Sequence, residues 1–180
     1  MRTVLVSGAS GVVGYGILRS LRRWDPTLRL VGTTIYEDSP AQGFCDIFEL
    51  APRTDREDYP DWLARTVAKH GVDLIFPGIE ADMYRWADIG DALKRDTGVE
   101  LVLNERRLIA ICKDKWTCYE CIRDANLTCA IESSLAGDYA TLAARFGVPF
   151  LLKPRRGFAS KGIVRVADEE TFLPHAAQVG

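Results

Sequence analysis

The feature that most constrains this chain is a repeated order: a short apolar run, a turn, then an amphipathic helical spacing. It starts with residues 3–7 (TVLVS), the glycine loop at residues 8–14 (GASGVVG), and Val13, Ile17, Leu18 and Leu21 recurring up to Trp24. A β-branched run of this length predicts a strand, and the spacing after it predicts a helix. Between them the first glycine permits a tight turn, the next lets a ligand or backbone approach, and the last lets helix pack on strand. A second strand is expected over residues 28–36, ending at Glu37 and Asp38. These acids fit either a ribose-binding carboxylate or a solvated strand end. Residues 39–52 read as irregular, with a short apolar piece at residues 44–50. A helix over residues 58–70, capped by Gly71, leads to a strand over residues 72–76 and a turn, Pro77 to Glu80. A helix over residues 81–96, a strand over 99–103 and a helical run over 105–111 follow.

Four such repeats predict an α/β fold over residues 1–110: a Rossmann-like parallel sheet with helices on both faces. Right-handed crossovers put every strand-to-helix turn on one edge, where such sheets bind ligands. Gly8, Gly11, Gly14, Glu37, Glu80 and Asp82 are therefore expected to line one crevice suited to a small polar molecule.

The pattern changes near residue 111, and residues 111–180 read as a small α+β unit. A helix is expected over residues 114–125, a brief β-like piece at 128–131, and a helix over 138–146. Residues 150–164 (FLLKPRRGFASKGIV) then read as two strands joined by a basic loop, and Asp168, Glu169 and Glu170 open a last helix. The loop's glycines let backbone N–H groups approach an anion, and its cations and serine add charge and donors. On these residues it is either a polyphosphate clamp or a solvated hairpin tip. Lys153 sits in an apolar run, where burial demands an anionic partner, whereas Lys115 also fits an exposed helix start.

A net charge of −2 supplies no global field to recruit nucleic acid or an anionic membrane. No apolar run approaches the ~20 residues that span a bilayer, and the chain enters its first strand without a signal-peptide pattern. Cytoplasmic residence is the expectation. Of five cysteines, Cys118 and Cys121 have CxxC spacing, but both histidines (His70, His175) are distant in sequence. Reduced thiols with no metal site are expected, and Cys112, Cys118, Cys121 and Cys129 receive no role.

Three segments carry a resemblance: VLVSGASGVVG at the start, KDKW at residues 113–116, and FLLKPRRGFASKGI. In this order and spacing the chain resembles the ATP-grasp ligases, closest to carbamoyl-phosphate-synthetase-like members. These begin with a Rossmann-like pre-ATP-grasp domain followed by the first ATP-grasp subdomain. The resemblance implies ATP and Mg²⁺, an acyl-phosphate formed on a small polar carboxylate, and attack by an amine or thiol. It implies that Lys115 and Lys153 neutralise ATP phosphates and that Ser160, Lys161 and Gly162 close over the transferred phosphate. A homodimer is compatible with it; nucleic-acid and membrane partners are not implied. The family's second nucleotide-binding part, with the Mg²⁺ ligands, would follow Gly180, so this chain alone is expected to bind ligands weakly and not to catalyse. Arg155, Arg156 and Phe158 depart from the small residues usual in that loop. Two other readings compete. GASGVVG also resembles extended short-chain dehydrogenases, but no tyrosine here is followed four residues on by lysine. A non-catalytic nucleotide-binding module is the other.

Overall fold

The computed structural model describes residues 2–157 and 160–178. The chain forms two compact units, Met1–Glu105 and Arg106–Gly180. The first contains β1 (Thr3–Val6), α1 (Val12–Trp24), β2 (Arg29–Thr34), a 3-10 turn (Pro40–Gly43) and β3 (Ile47–Leu50). It continues through α2 (Tyr59–His70), β4 (Leu74–Phe76), α3 (Glu80–Thr97) and β5 (Glu100–Leu101). The five strands are all parallel, in the order β3-β2-β1-β4-β5. The expected Rossmann-like sheet is present.

Strand alternation builds a core on each face. Val4 and Val6 of β1 pack with Leu18 of α1 and with Leu28 and Leu30. Leu5, between them, faces the other way with Val31, Leu63 of α2, Ile75 and Trp86 of α3. Leu5, Val31 and Ile75 are wholly buried; burial of each such side chain contributes roughly 1.5–3 kcal/mol. Helices therefore cover both faces, as the four-residue β1 with every side chain buried requires.

The sheet has one strand more than the sequence reading. β3 lies in the segment expected to be irregular, and its side chains are mostly half-buried, so it lacks a continuous apolar run. A polar contact helps place it: Asp46 Oδ2 accepts from Leu30 N at 2.8 Å and from Arg22 Nη2 at 2.6 Å.

A buried polar chain crosses the α2–α3 core. The Tyr59 hydroxyl donates to Asp82 Oδ1 (2.9 Å) and accepts from Trp86 Nε1 (2.9 Å), while Thr54 Oγ1 donates to the same Oδ1 (2.5 Å). Burial pushes the Tyr59 hydroxyl well above its ordinary value, so it stays protonated and donating.

The second unit contains α4 (Arg106–Lys113), α5 (Lys115–Asp124), α6 (Tyr139–Phe146), β6 (Phe150–Leu152), β7 (Val164–Val166), α7 (Glu169–Phe172) and a 3-10 turn (Leu173–Gln178). β6 and β7 are antiparallel, with Phe150 opposite Val166. Leu142, Phe150, Val166 and Phe172 form its core, and Tyr139 packs against it. Aspartates 114, 138 and 168 cap α5, α6 and α7 by accepting backbone N–H bonds. The β-like piece expected at 128–131 is not a strand: those residues are turn and irregular, and Ile131 is 82% exposed. A short β-prone run without a neighbouring strand has no ladder to join.

Replacing Tyr59 by Phe leaves Trp86 Nε1 and Asp82 short of a partner in the core. The expected loss is about 1–3 kcal/mol of unfolding free energy, measured by urea denaturation; an unchanged midpoint would contradict the network.

Candidate functional site

Two places answer the sequence expectations, one in each unit. At the C-terminal edge of the sheet, Gly8 turns the chain with φ +56°, and Gly11 N donates back to Gly8 O at 2.8 Å. Gly14 lies so close beneath this turn that a Cβ there would stand 2.5 Å from Gly8 O and 2.8 Å from Ser7 O. Gly78, from the turn after β4, rests on the same spot: a Cβ on it would overlap Ser7 O and reach 2.7 Å from Gly14 Cα. Its N–H donates to Ser7 Oγ at 3.2 Å. The glycines thus serve backbone-on-backbone packing between the β1 and β4 turns. The hydroxyls of Ser10, Thr34 and Ser39 add a second tie, with Ser10 Oγ donating to Thr34 Oγ1 (2.7 Å) and lying 2.8 Å from Ser39 Oγ.

This edge brings Gly8, Gly11 and Gly14 together with the turn that leads to Glu80, which is exposed at the first residue of α3. Glu37 is exposed beyond β2, its carbonyl accepting from Gln42 Nε2 at 2.7 Å. Asp82 requires a correction. Only 4% exposed, it spends Oδ1 on Thr54 and Tyr59, so it is a core acceptor rather than an open crevice acid. At the third helical position its side chain turns inward with Trp86, one helical turn further along α3.

In the second unit a cavity of about 400 Å³ is lined by Lys115, Trp116, Ile131, Leu151, Lys153 and Arg155, among others. The two lysines named by sequence therefore converge, although they are 38 residues apart (153 minus 115). Asp114 is the pivot. Its Oδ1 caps α5, accepting from Trp116 N (3.0 Å) and Thr117 N (3.4 Å). The same carboxylate holds Arg155 in a fork, Nε to Oδ1 at 3.1 Å and Nη2 to Oδ2 at 2.8 Å. Arg156 Nε stands 3.6 Å from Oδ2. Lys115 completes the junction, its N–H donating to Arg155 O (2.9 Å) and its Nζ to Gly157 O (3.0 Å). The Arg155 fork holds the Asp114 carboxyl below its ordinary value; burial opposes this, and the two capping N–H groups reinforce it.

Lys153 is exposed, so the burial argument made from its apolar run fails: β6 ends at Leu152, and Lys153 lies just beyond it. Its standing rests instead on the cavity. Leu151, two positions earlier and 53% exposed, lines the same cavity. Ser160 (φ +57°), Lys161 and Gly162 are exposed and outside the cavity lining. Gly162 is seated on Pro154, where a Cβ would come within 2.9 Å of Cγ. Phe158 lies outside the described residues.

The sequence reading counted Arg155 and Arg156 among the loop's cations and as departures from the resemblance, and missed their contacts with Asp114. An aspartate directly before a helical spacing was the available signal for a cap; its second partner, 41 residues away, had none. All five cysteines are free. Burial pushes the Cys118 thiol up, with Cys112 and Cys121 nearby reinforcing this. Among the described residues no group of three or more His, Cys, Asp or Glu is placed to hold a metal ion.

Neither a protein-family model nor a curated protein matches this sequence. Solved structures do. An N5-carboxyaminoimidazole ribonucleotide synthetase in complex with ADP has a TM-score of 0.65 at 18% identity, covering 99% of this chain and 44% of that one. The biotin carboxylase domain of the Hydrogenobacter thermophilus 2-oxoglutarate carboxylase, in complex with MgADP, ADP and bicarbonate, has 0.64 at 18%, covering 97% and 39%. The Bacillus licheniformis L-amino acid ligase has 0.60 at 16%, covering 98% and 41%. The likeness is one of fold. The chain spans less than half the length of each of these proteins.

Two measurements check this geometry. Gly14→Ala forces backbone apart at the β1 turn and is expected to cost about 3 kcal/mol of stability in urea unfolding. For Asp114, a depressed folded pKa means the stabilisation is complete above the unfolded value of about 4 and is lost as pH falls through the lower, folded one. The Trp116 and Thr117 amide signals should therefore shift in acid in the wild-type chain and stay flat in Asp114→Asn.

Proposed function

We propose that this chain carries the phosphate-binding part of an ATP-dependent carboxylate–amine (or thiol) ligase of the ATP-grasp type, working through an acyl-phosphate. The observation that carries the reading is the convergence of Lys115 and Lys153 on one cavity of about 400 Å³, a volume within the usual range for small-molecule sites. The fold shared with the ADP-bound synthetase and the carboxylase domain supports it.

The division of labour follows from the side chains. Lys153 and Lys115 meet the phosphates, and Leu151, in the same cavity lining, offers apolar surface to the base. Phosphoryl transfer is mostly positioning and charge stabilisation, so ammonium groups held at fixed points supply what the step needs. Lys115 is already fixed through Gly157 O and the Asp114 cap. Ser160, Lys161 and Gly162 belong to the phosphate-covering loop in this reading. The carboxylate substrate, a small polar molecule, is assigned to the sheet edge near Gly8, Gly11, Gly14 and Glu80. Mg²⁺ bound with the nucleotide would neutralise phosphate charge; the described residues offer it no carboxylate set, so no ligand is assigned here. A second nucleotide-binding part, in the same polypeptide or a partner, completes the site in this reading. No helix among the described residues is long and apolar enough to cross a membrane. A soluble, cytoplasmic enzyme, with a homodimer as its allowed assembly, is the setting proposed.

Thermal stabilisation tests this, because a ligand that binds only the folded state raises its stability by mass action. Mg-ATP is expected to raise the melting temperature of the complete protein, and Lys153→Ala to abolish the effect. Stabilisation by NAD and not by ATP would falsify the reading.

A further inference from the structure

The cavity of the second unit has a third cation that the lysine pair does not explain. Arg155 lines it together with Lys115 and Lys153. The one acid in the lining, Glu132, has its Oε1 on Arg145 Nε at 2.9 Å. The lining is therefore cationic by three charges to one, and its acid is neutralised from the side. Arg155 is pre-formed for a planar, bidentate anion: its side chain is 53% exposed, and its fork already holds a carboxylate. Asp114 is what it holds now, and Asp114 is not part of the lining.

We propose that Arg155 is a further phosphate-binding residue of this site, held in the cavity lining by Asp114 and passed to a polyphosphate when one binds. This rests on the nucleotide reading above and adds to it a specific exchange of partners. Moving Arg155 would ordinarily strand a carboxylate that is only 6% exposed, which is costly. Here the cost is offset. Arg156 stands 3.6 Å from Oδ2, and the N–H groups of Trp116 and Thr117 remain on Oδ1. The exchange leaves Asp114 with one guanidinium and its helix cap, and the phosphate with a fork instead of a point charge. Lys115 stays anchored through the Arg155 and Gly157 carbonyls, so backbone need not move for the side chain to turn.

The test uses inorganic tripolyphosphate, titrated to millimolar concentration and followed through the arginine Nε–H signals by NMR. In the wild-type chain the Arg155 signal is expected to move with saturation. Arg155→Ala should weaken binding about tenfold, the value of one charge-assisted contact, and Arg155→Lys should recover only part. Asp114→Asn keeps a capping side chain and removes the competitor, so it should tighten binding about three- to tenfold. In the Arg155→Ala background that gain should vanish, which a double-mutant cycle measures. A weaker Asp114→Asn would mean the pair is only scaffolding and overturns the proposal. So would an equal gain in both backgrounds, which would reduce Asp114 to a repelling charge. Lys153→Ala separates the two readings: if it weakens binding while Arg155→Ala does not, only this exchange fails. If neither variant changes binding, or the wild-type chain shows none, the cavity is not a polyphosphate site and both fail.

Discussion

One carboxylate organises the second unit. Asp114 starts α5 by accepting the Trp116 and Thr117 N–H groups, and it also grips Arg155 in the loop that follows β6. An uncapped helix start leaves N–H groups unsatisfied, and a basic loop without an anchor has many conformations to lose. The same two oxygens answer both needs. Lys115 and Lys153 come to one cavity because the helix carrying the first is tied to the loop that follows the second. A charge pair this exposed on the arginine side would add little as an isolated surface bridge. Its weight comes from serving a cap and a fork together.

The first unit works by the opposite means. Its edge is assembled by removing side chains, with Gly8, Gly14 and Gly78 letting the turns after β1 and β4 touch through backbone. Hydroxyls then pin the flanking turn after β2, through Ser10, Thr34 and Ser39. The Thr54–Asp82–Tyr59–Trp86 chain gives each of its three donors an acceptor, the kind of pairing through which a polar network rigidifies a core.

Local periodicity made most of this legible. The strand, turn and helix at the start of the chain appear as β1 and α1 because each residue there reports its own environment: Val4 and Val6 one face, Leu5 the other. β3 was hidden because its placement depends on Asp46 and Arg22, a contact between segments with no common pattern. Ile131 misled for the converse reason, having strand propensity but no neighbouring strand. Asp82 and Lys153 show the limit for candidate sites. Residue type suggested an open acid and a buried lysine, and packing reversed both, since burial depends on which face a helix turns inward and where a strand ends. The joining of Lys115 to the hairpin loop was visible only as two separate motifs.

The glycine stack at the sheet edge separates what must stay from what can vary. Its contacts are backbone to backbone, so the turns after β1 and β4 keep their positions whatever side chains project from them. Val12 (89% exposed) and Val13 (60%) at the start of α1, Tyr36 (60%) beyond β2 and Ile79 (42%) before α3 are exposed beside them. Ile79 is the least free of them, because its Cγ2 lies against Gly8. The others can be exchanged without touching the stack, which makes this rim the part of the fold most open to evolutionary drift. A chain built this way can change what its edge recognises while leaving untouched the frame that presents it.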